Sequence, residues 1–501
     1  MSTRRLIQIT LLSLLWVVVA VLPTVEAAQR SGPPRSATGP TTAPASAQVR
    51  AERQRLRELS DRAIDLMQEG RLAEAEAALR EALSIAPRLS INLYNLACVK
   101  ARQGHGEQAM DYLERAVAAG FTEFAFIEAD PDLDSLRKLP RYQKLMAQKD
   151  DIQRREAQRV LDWLQRELGE GYVYEIDPDN RFIFATNTDR TTLEALRRRL
   201  VMQARSQWDM LFANRPDHYI SIVLPSPADY RRIVPRRGVG GFYNRENRML
   251  IAQRMGQIMQ HEFTHALHNG DIEALNQEHP VWLAEGLAGM FESAQFVGEK
   301  LIPADNYRLA TIQNAARNRR LIPLAQLLRM EQDAFVRRAN FAYGQAYSLL
   351  LYLYEHGLLR TFYDSYKQDY AMDPTGRQTL ERTTGMSLAE LEQAWIGWML
   401  QRTPPPLTTG PDGAWLGVRF GSANDGLRID EVVVNGPAAR AGILPGDLIV
   451  GLDDVDVRDQ ESLMPLLAER QPGERVVLRI RRVQEYRDVA VELGSRAAAP
   501  R

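Results

Sequence analysis

The spacing of hydrophobic and polar residues is helical near the start of the chain. Between residues 51 and 150, small and apolar residues also recur at an offset of 34, which relates Ala63 to Ala97 and Gly70 to Gly104. Paired helices that touch through small residues and turn at glycine give such an offset. The pattern therefore predicts an α-helical repeat block at 51–150.

The middle of the chain mixes two periodicities. Segments that alternate with a period of two predict strands at 172–176, 181–185, 219–224 and 242–252. The amphipathic segment 192–212 has helical spacing and separates the second strand from the third. Strands interleaved with a helix predict a mixed sheet covered on one face, within an α+β domain at 151–401.

The beginning of the chain has the composition of an export signal. Two arginines precede a long apolar run that ends in small residues. This predicts a secretory signal peptide at 1–28, with an uncleaved membrane anchor as the alternative. Residues 29–50 are rich in Pro, Ser, Thr and Ala without periodicity, which predicts a disordered linker. We expect export to the periplasm or cell envelope of a bacterium, or secretion, with membrane contact only through an uncleaved leader.

The end of the chain is set apart by a segment rich in proline and glycine at 402–413, which predicts a second linker. Short strand patterns with glycine turns follow at 414–494 and predict a small β-rich domain. Residues 495–501 are expected to be a tail.

Length and charge narrow the functional classes. A chain of 501 residues exceeds what one hydrophobic core usually organises, so several domains are expected. With 63 basic and 64 acidic side chains the net charge is -1, which gives no field that attracts nucleic acid. The single cysteine, Cys98, lies in an apolar helical segment and is expected to be a buried hydrophobic residue.

Histidines are few, and four of the seven fall between positions 261 and 279. His261 and His265 lie four residues apart in a helical segment at 255–268, so both imidazoles share one helix face and converge on one point. Glu262 can reach a water held at that point. A catalytic zinc requires this spacing, and we expect one Zn²⁺ per chain.

Catalytic zinc usually takes three protein ligands and keeps one position open. Glu285 lies twenty residues after His265, in the segment WLAEGLAG, where a carboxylate ligand fits. Gly286 and Gly289 keep this second helix slim, and we expect it to pack tightly against the first.

The two motifs, HEFTH at 261–265 and WLAEGLA at 282–288, resemble those of the gluzincin metallopeptidases of the peptidase MA-like branch. The resemblance implies a zincin-like metallopeptidase domain. It implies that His261, His265 and Glu285 bind zinc and that Glu262 is the general base.

The metzincin pattern is the competing assignment. It requires a glycine three residues after the second histidine, where this chain has His268, and a ligand at the position of Asp271. The missing glycine disfavours it. His268 and His279 are interpreted as supporting or structural residues, and Glu292 either orients a ligand imidazole or is a solvated charge.

The gluzincin resemblance also suggests a residue that stabilises the oxyanion. Tyr343, in the segment FAYGQAY, matches that role, although it fits equally well as a core tyrosine. A strand at 241–252 would be the edge along which an extended substrate lies, so we expect a protein or peptide substrate.

The C-terminal motifs WLGV, NGPAARAGI and PGDLI, which follow one another from residue 415 to 449, resemble those of the PDZ domains of exported bacterial proteases. The resemblance implies that the backbone at Leu416, Gly417 and Val418 binds the carboxylate of a C-terminal peptide. A PDZ shell that only packs against its neighbour is the alternative.

The repeat block resembles the tetratricopeptide repeat, which implies a protein partner, and a helical spacer without a ligand is the alternative. The sequence thus predicts a multidomain protein with a helical repeat block, an α+β zincin-like metallopeptidase domain and a small β-rich PDZ domain. The expected function is an exported zinc endopeptidase. The alternatives are a catalytically silent envelope scaffold and a zinc aminopeptidase.

Overall fold

A computed structural model describes residues 43–234, 240–245, 247–273, 275, 277–306, 308–404, 414–423, 426–453, 455–457, 463, 464, 466, 467, 470 and 472–495. The predicted signal peptide, residues 29–42 of the first linker, residues 405–413 of the second and residues 496–501 of the tail lie outside this range. No helix of the described residues is long and apolar enough to cross a membrane. The described residues form two compact units, one made of 43–160 with 273 and 275, and the other of the described residues within 161–272 and 277–495.

The first unit consists of helices that pack in pairs, α1 on α2 and α3 on α4. Their bounds are α1 (Ala43–Gln68), α2 (Leu72–Ile85), α3 (Ser90–Arg102), α4 (Gly106–Ala118), α5 (Phe124–Ala129), a 3₁₀ helix (Pro131–Leu136), α6 (Pro140–Ala147) and the start of α7 (Lys149–Leu168). Alanines related by the offset of 34 have no exposed surface, namely Ala63, Ala75, Ala82, Ala97, Ala109 and Ala116. Cys98 is buried among them.

Two predicted boundaries change. Helix α1 begins at Ala43, so the last residues of the segment 29–50 are helical and not a disordered linker. Alanine, the strongest helix former, recurs at Ala43, Ala45 and Ala47 and accounts for this extension. Helix α7 runs through the boundary predicted at 150, and the first unit ends within it.

The second unit begins with a mixed sheet. Its elements are β1 (Val173–Asp177), β2 (Phe182–Thr186), α8 (Arg190–Met210), β3 (Ile220–Leu224), α9 (Pro227–Ile233), β4 (Gly241–Asn244) and β5 (Met249–Ala252). In the described residues the strand order is β1-β2-β3-β5-β4. The pairs β2 with β3 and β3 with β5 are parallel, and the two outer pairs are antiparallel.

The prediction of a single strand at 242–252 is wrong, because the chain reverses direction within this segment. Strands β4 and β5 form a hairpin that leaves β4 at the edge of the sheet. The amide of Asn247 donates to the Asn244 side chain, and Arg248 has a positive φ of 54°. Asparagine side chains bond to nearby backbone and favour turns, which the alternation of the flanking residues concealed.

Helices dominate the rest of the middle region. The elements are α10 (Gln257–Glu273), α11 (Val281–Glu292), β6 (Gln295–Val297), β7 (Lys300–Ile302), α12 (Arg308–Arg317), α13 (Leu324–Leu327), α14 (Gln332–Arg337), α15 (Ala339–Glu355), α16 (Leu359–Asp369), α17 (Arg377–Thr384) and α18 (Leu388–Leu400). One continuous apolar core joins the sheet, α8, α10, α11 and α15. The functional candidates of the middle region therefore lie on elements that share one core.

The C-terminal region is β-rich and has an apolar core of its own. Its elements are β8 (Ala414–Trp415), β9 (Val418–Ala423), β10 (Gly426–Val432), α19 (Pro437–Arg440), β11 (Leu448–Leu452), β12 (Val455–Asp456), β13 (Arg475–Arg482), β14 (Glu485–Glu492) and β15 (Gly494–Ser495). The main sheet has the order β14-β13-β11-β10-β9, so β9 is an edge strand among the described residues.

Candidate metal centre

Helix α10 holds the two motif histidines because its other face is apolar. Phe263, Ala266 and Leu267 are fully buried, and the Phe263 ring meets Phe182 of β2 with 5.5 Å between centroids. Burial of that face fixes the rotation of the helix. His261 and His265 are displayed together on another face, with their ring centroids 4.9 Å apart.

Helix α11 brings the predicted third ligand to these histidines. Glu285 Oε2 lies 3.2 Å from His261 Nε2 and 3.4 Å from His265 Nε2. One ligand atom of each of the three residues lies within 4.8 Å of the others. All three predicted ligands therefore converge on one small region.

The glycines of α11 do not serve the contact that was predicted for them. A Cβ at Gly286 would lie 2.9 Å from the Ala346 carbonyl oxygen of α15, and one at Gly289 would lie 3.1 Å from Tyr347 Cβ. They therefore pack against α15 and not against α10. The reason is helical geometry, since Glu285 points towards α10 and Gly286 is rotated by about 100° from it.

Glu292 lies two turns after Glu285 and contacts the other side of His261. Its Oε2 lies 2.9 Å from His261 Nδ1, while its Oε1 accepts hydrogen bonds from Arg308 and from Asn306 Nδ2. Glu292 is 5 % exposed and is therefore not a solvated charge. A carboxylate on the second nitrogen of a ligand imidazole fixes the orientation of the ring and the nitrogen that faces the metal.

Carboxylates control the charge of His261. Burial by itself lowers its pKa, but the hydrogen bonds and charges of Glu285 and Glu292 together outweigh burial and raise the pKa to about 10. Burial likewise opposes ionisation of Glu292, yet Arg308 and His261 lower the pKa of its carboxyl. In the metal-free protein His261 is thus a cation between two carboxylates, and a metal ion would replace its proton.

Glu262 links α10 to the edge of the sheet. Its Oε2 accepts a hydrogen bond of 2.8 Å from the backbone amide of Tyr243 in β4. In an antiparallel pair, a residue whose amide is not bonded to the neighbouring strand directs both peptide groups outward. The predicted general base therefore lies beside the open edge of β4.

Tyr343, on α15, lies next to the predicted metal ligands. Its ring centroid is 6.5 Å from that of His261, and the Arg308 guanidinium lies 5.8 Å from the ring centre. Burial and then the charge of Glu285 raise the pKa of its hydroxyl well above the ordinary value. The hydroxyl therefore stays protonated and can donate a hydrogen bond, as the predicted oxyanion role requires.

The other two clustered histidines bond to each other. His268 Nε2 lies 2.9 Å from His279 Nδ1, and His279 Nε2 lies 3.1 Å from the Gln277 side-chain oxygen. Asp271, the ligand position of the metzincin pattern, accepts hydrogen bonds from Tyr363 and Lys367. These contacts support the interpretation of His268 and His279 as structural residues.

The predicted carboxylate-binding backbone lies between β8 and β9. The Leu416 carbonyl accepts from the Ala438 amide at 2.9 Å, and the Gly417 carbonyl accepts from the Val433 amide at 2.8 Å. Val418 begins the edge strand β9. With both carbonyls bonded to the domain, this segment is held in place at the start of the strand along which a peptide could pair.

The chemistry of the donor set fits zinc. Two imidazole nitrogens and one carboxylate oxygen are a common ligand set of catalytic zinc, and three protein ligands leave a position for water or substrate. His261 and His265 on α10 and Glu285 on α11 would hold the ion. Glu292 would orient the first of these ligands.

Sequence reasoning missed three contributors to this site. Arg308 and Asn306 reach Glu292 from the segment before and at the start of α12, and no periodicity relates them to α10 or α11. The backbone amide of Tyr243 has no sequence signal of its own. Only the hairpin of β4 and β5, which was predicted as one strand, brings it to Glu262.

Comparison with known families identifies the C-terminal region. Residues 414–493 match the PDZ domain family and form a PDZ domain. Residues 257–374 match a family described as a protein of unknown function, DUF1570. This second segment includes α10, α11 and Tyr343.

One curated relative is the probable periplasmic serine endoprotease DegP-like of Halomonas elongata, which is 30% identical over 105 residues. The match covers 21% of this chain, and the chain spans only 20% of the length of that relative. Among solved structures, the HtrA-type protease AlgW with decapeptide is 24% identical over 22% of this chain and 34% of its own, with a TM-score of 0.16. An aminopeptidase N family protein from Idiomarina loihiensis is 14% identical over 64% of this chain and 66% of its own, with a TM-score of 0.29.

Proposed function

We propose that this protein is an exported zinc-dependent endopeptidase of the gluzincin type that cleaves protein or peptide substrates. The convergence of His261, His265 and Glu285 carries the proposal, because two imidazoles and a carboxylate within 4.8 Å form a site for a divalent cation. Glu262 adds an acceptor for a proton beside this site.

Each residue of the site has a distinct task in this proposal. Bound zinc would supply a water that is acidic enough to attack at neutral pH and would polarise the peptide carbonyl. Glu262 takes the proton of the attacking water and delivers it to the leaving amine. Tyr343 donates a hydrogen bond to the oxygen on which negative charge develops.

The substrate class follows from the edge of the sheet. The Tyr243 amide already donates outward to Glu262, and Gly241, two residues earlier, directs its peptide groups to the same side. An extended peptide that pairs with this edge would place a peptide bond beside Glu262. The PDZ domain at 414–493 supports a polypeptide substrate or partner, bound through its chain terminus at Leu416, Gly417 and Val418.

Export and the repeat partner are parts of the same proposal. The leader pattern at 1–28 supports export, and the periplasmic location in the name of the Halomonas relative is compatible with it. That relative is described as a serine endoprotease, so the proposed zinc chemistry would be a property of the middle region of this chain. The repeats at 51–150 would bind a further protein.

The test combines metal analysis with cleavage of an unfolded protein such as casein. Wild-type protein is expected to hold one zinc per chain and to cleave casein. Glu262→Gln should retain zinc while kcat falls by about 10²–10⁴-fold, the usual contribution of a general base. The matched control is Glu278→Gln at an exposed position, which should change neither property.

Three outcomes would contradict the proposal in different ways. Absence of zinc would refute the metal site. Bound zinc without cleavage of any unfolded protein would favour the scaffold. Full zinc and activity in Glu285→Ala would show that Glu285 is not the third ligand.

A further inference from the structure

The PDZ domain contacts the segment that enters the metal-binding helix. Arg254 lies between β5 and α10, and its guanidinium reaches two acidic residues of the PDZ domain. Arg254 Nη1 lies 3.0 Å from Glu474 Oε1, and Nη2 lies 3.4 Å from Asp453 Oδ2. These ion pairs connect the middle region to the PDZ domain within the second compact unit.

A second arginine completes the cluster from the PDZ side. Arg470 contacts Asp453 and lies 3.3 Å from Glu474, and its side chain is only 2% exposed. Each acidic residue therefore lies between two guanidinium groups. Separation of the surfaces would take the Arg254 guanidinium away from both carboxylates, which is costly where the pairs are partly buried.

An apolar contact lies beside the charges. Ile258, in the first turn of α10, packs against the PDZ core. Ile258 and Arg254 line one shared pocket together with Leu466 and Arg470 of the PDZ domain. The apolar contact is therefore continuous with the ion pairs.

Ile258 also packs closely on the start of β4. A Cβ at Gly240 would lie 2.5 Å from Ile258 Cδ1, and one at Gly241 would lie 2.9 Å from Ile258 Cγ2. The side chain is thus held between the start of β4 and the PDZ domain. His261 and Glu262 follow three and four residues later, on the same side of the helix as Ile258.

We propose that the PDZ domain is a positioning element of the metal centre, docked through Arg254, that holds the first turn of α10 against β4. This inference rests on the proposed peptidase function for its effect on catalysis. Release of the docking frees Ile258, loosens the position of Glu262 relative to the edge of β4 and lowers kcat. Of the proposed zinc ligands, His265 lies one turn further along α10, Glu285 lies on α11, and the ring of His261 is held from the other side by Glu292, so zinc content is unchanged.

The experiment uses the full chain and the variant Arg254→Glu, which opposes Asp453 and Glu474 with a third acidic group. Amide hydrogen exchange of residues 255–262 is expected to accelerate at least about tenfold, because local opening of this turn becomes easier. Casein cleavage should lose about tenfold to a hundredfold in kcat, the scale of a small misplacement of catalytic groups. Zinc content should match that of wild type.

Two further variants separate docking from damage to the fold. Arg428→Glu breaks an exposed PDZ ion pair with Asp430 away from this interface and should change neither exchange nor kcat. Arg254→Glu combined with Glu474→Arg restores the balance of charges and should recover both. Arg254→Lys keeps the charge and should remain close to wild type.

Unchanged exchange at 255–262 in Arg254→Glu would overturn the inference, as would failure of the double variant to recover. Exchange does not depend on catalysis. If no form of the protein cleaves casein but Arg254→Glu still accelerates exchange, the peptidase proposal fails and the docking stands.

Discussion

Two pairs of histidines lie close together in the sequence and have opposite surroundings. His261 and His265 face Glu285, and His261 also contacts Glu292, so carboxylates lie on both sides of its ring. These carboxylates overcome burial and raise the pKa of His261 to about 10. This pair attracts cations.

His268 and His279 form the second pair, and their rings bond to each other and to the side chain of Gln277. Burial, followed by the charges of Lys367 and Arg245, lowers the pKa of His279 to about 3. Burial and His279 lower the pKa of His268 well below its ordinary value. This pair stays neutral and contributes hydrogen bonds within the core.

Helix α10 supplies His261, His265 and His268, so residence on this helix does not distinguish the two pairs, whereas the neighbouring carboxylates do. The spacing of His261 and His265 would be chemically inert without α11. Substitutions in either histidine pair, or in the residues around it, can test this contrast.

Substitution of one histidine from each pair should give the largest contrast. His265→Ala is expected to lower zinc affinity by more than the roughly 10–100-fold that loss of an outer hydrogen-bond partner costs, because one of the three proposed ligands is removed. His279→Gln should retain zinc but lower the free energy of unfolding by about 1–3 kcal/mol, because His268 loses its partner. A zinc competition assay and thermal unfolding measure the two effects. Equal loss of zinc in both variants would show that the pairs are not distinct.

Removal of the cation that holds Glu292 should have the next largest effect. Arg308→Met is expected to lower zinc affinity by about 10–100-fold, since Glu292 would no longer be fixed against His261. Arg308→Lys should retain more of the affinity than Arg308→Met. Arg317→Met, at an exposed position of the same helix, is the matched control. Unchanged affinity in Arg308→Met would mean that Glu292 needs no counter-charge.

The raised pKa of His261 predicts a pH-dependent metal affinity. The pKa of His261 is about 10, so at lower pH the metal-free protein carries a proton on His261 that zinc must displace. Affinity should therefore rise about tenfold per pH unit between pH 7 and pH 9, which is one proton released per zinc bound. Glu292→Gln should lower the pKa of His261 and flatten the dependence. A competing chelator with known proton affinities measures it, and a flat wild-type profile would contradict the prediction.

The second pair should affect stability on the acid side. The pKa of His279 is depressed to about 3 in the folded state, whereas an unfolded histidine titrates near 6.5. Its contribution to stability is therefore complete above pH 6.5 and is lost as the pH falls towards 3, by at most about 1.4 kcal/mol per pH unit. Urea unfolding of wild type and His279→Gln at pH 7, 6 and 5 measures the difference. If the unfolding free energies of the two proteins changed with pH in parallel, titration of His279 would not contribute to the pH dependence of stability.

Local patterns in the sequence predicted most elements near the metal centre. Period-two alternation predicted β2 and β3, and helical spacing predicted α8 and α10. The hairpin of β4 and β5 was missed because both strands and the turn fit one alternating segment. The turn depends on the side chain of Asn244 and the backbone of Arg248, which periodicity does not register.

In the candidate site, too, residues with a local sequence signal were predicted and residues placed by long-range packing were missed. His261 and His265 are related by one helical turn, and Glu285 lies in a recognisable motif, so each had a local signal. Arg308 reaches Glu292 only because α12 packs on α15, which also packs on α11, and this depends on long-range contacts. The rotation of α11 was also mispredicted, since the sequence shows slim residues at Gly286 and Gly289 but not the helix that needs them.

The close contact at Gly286 has a consequence for the choice of the proposed metal. Gly286 has no side chain to separate α11 from the Ala346 carbonyl of α15, so the two helices approach closely there. Glu285 directly precedes Gly286. The position of its carboxylate relative to α10 therefore depends on how closely α11 packs against α15. A methyl group at Gly286 would move the carboxylate relative to both imidazoles and alter the radius of the ion that all three donors can share. Selectivity among divalent ions would then depend on a residue that provides no donor atom.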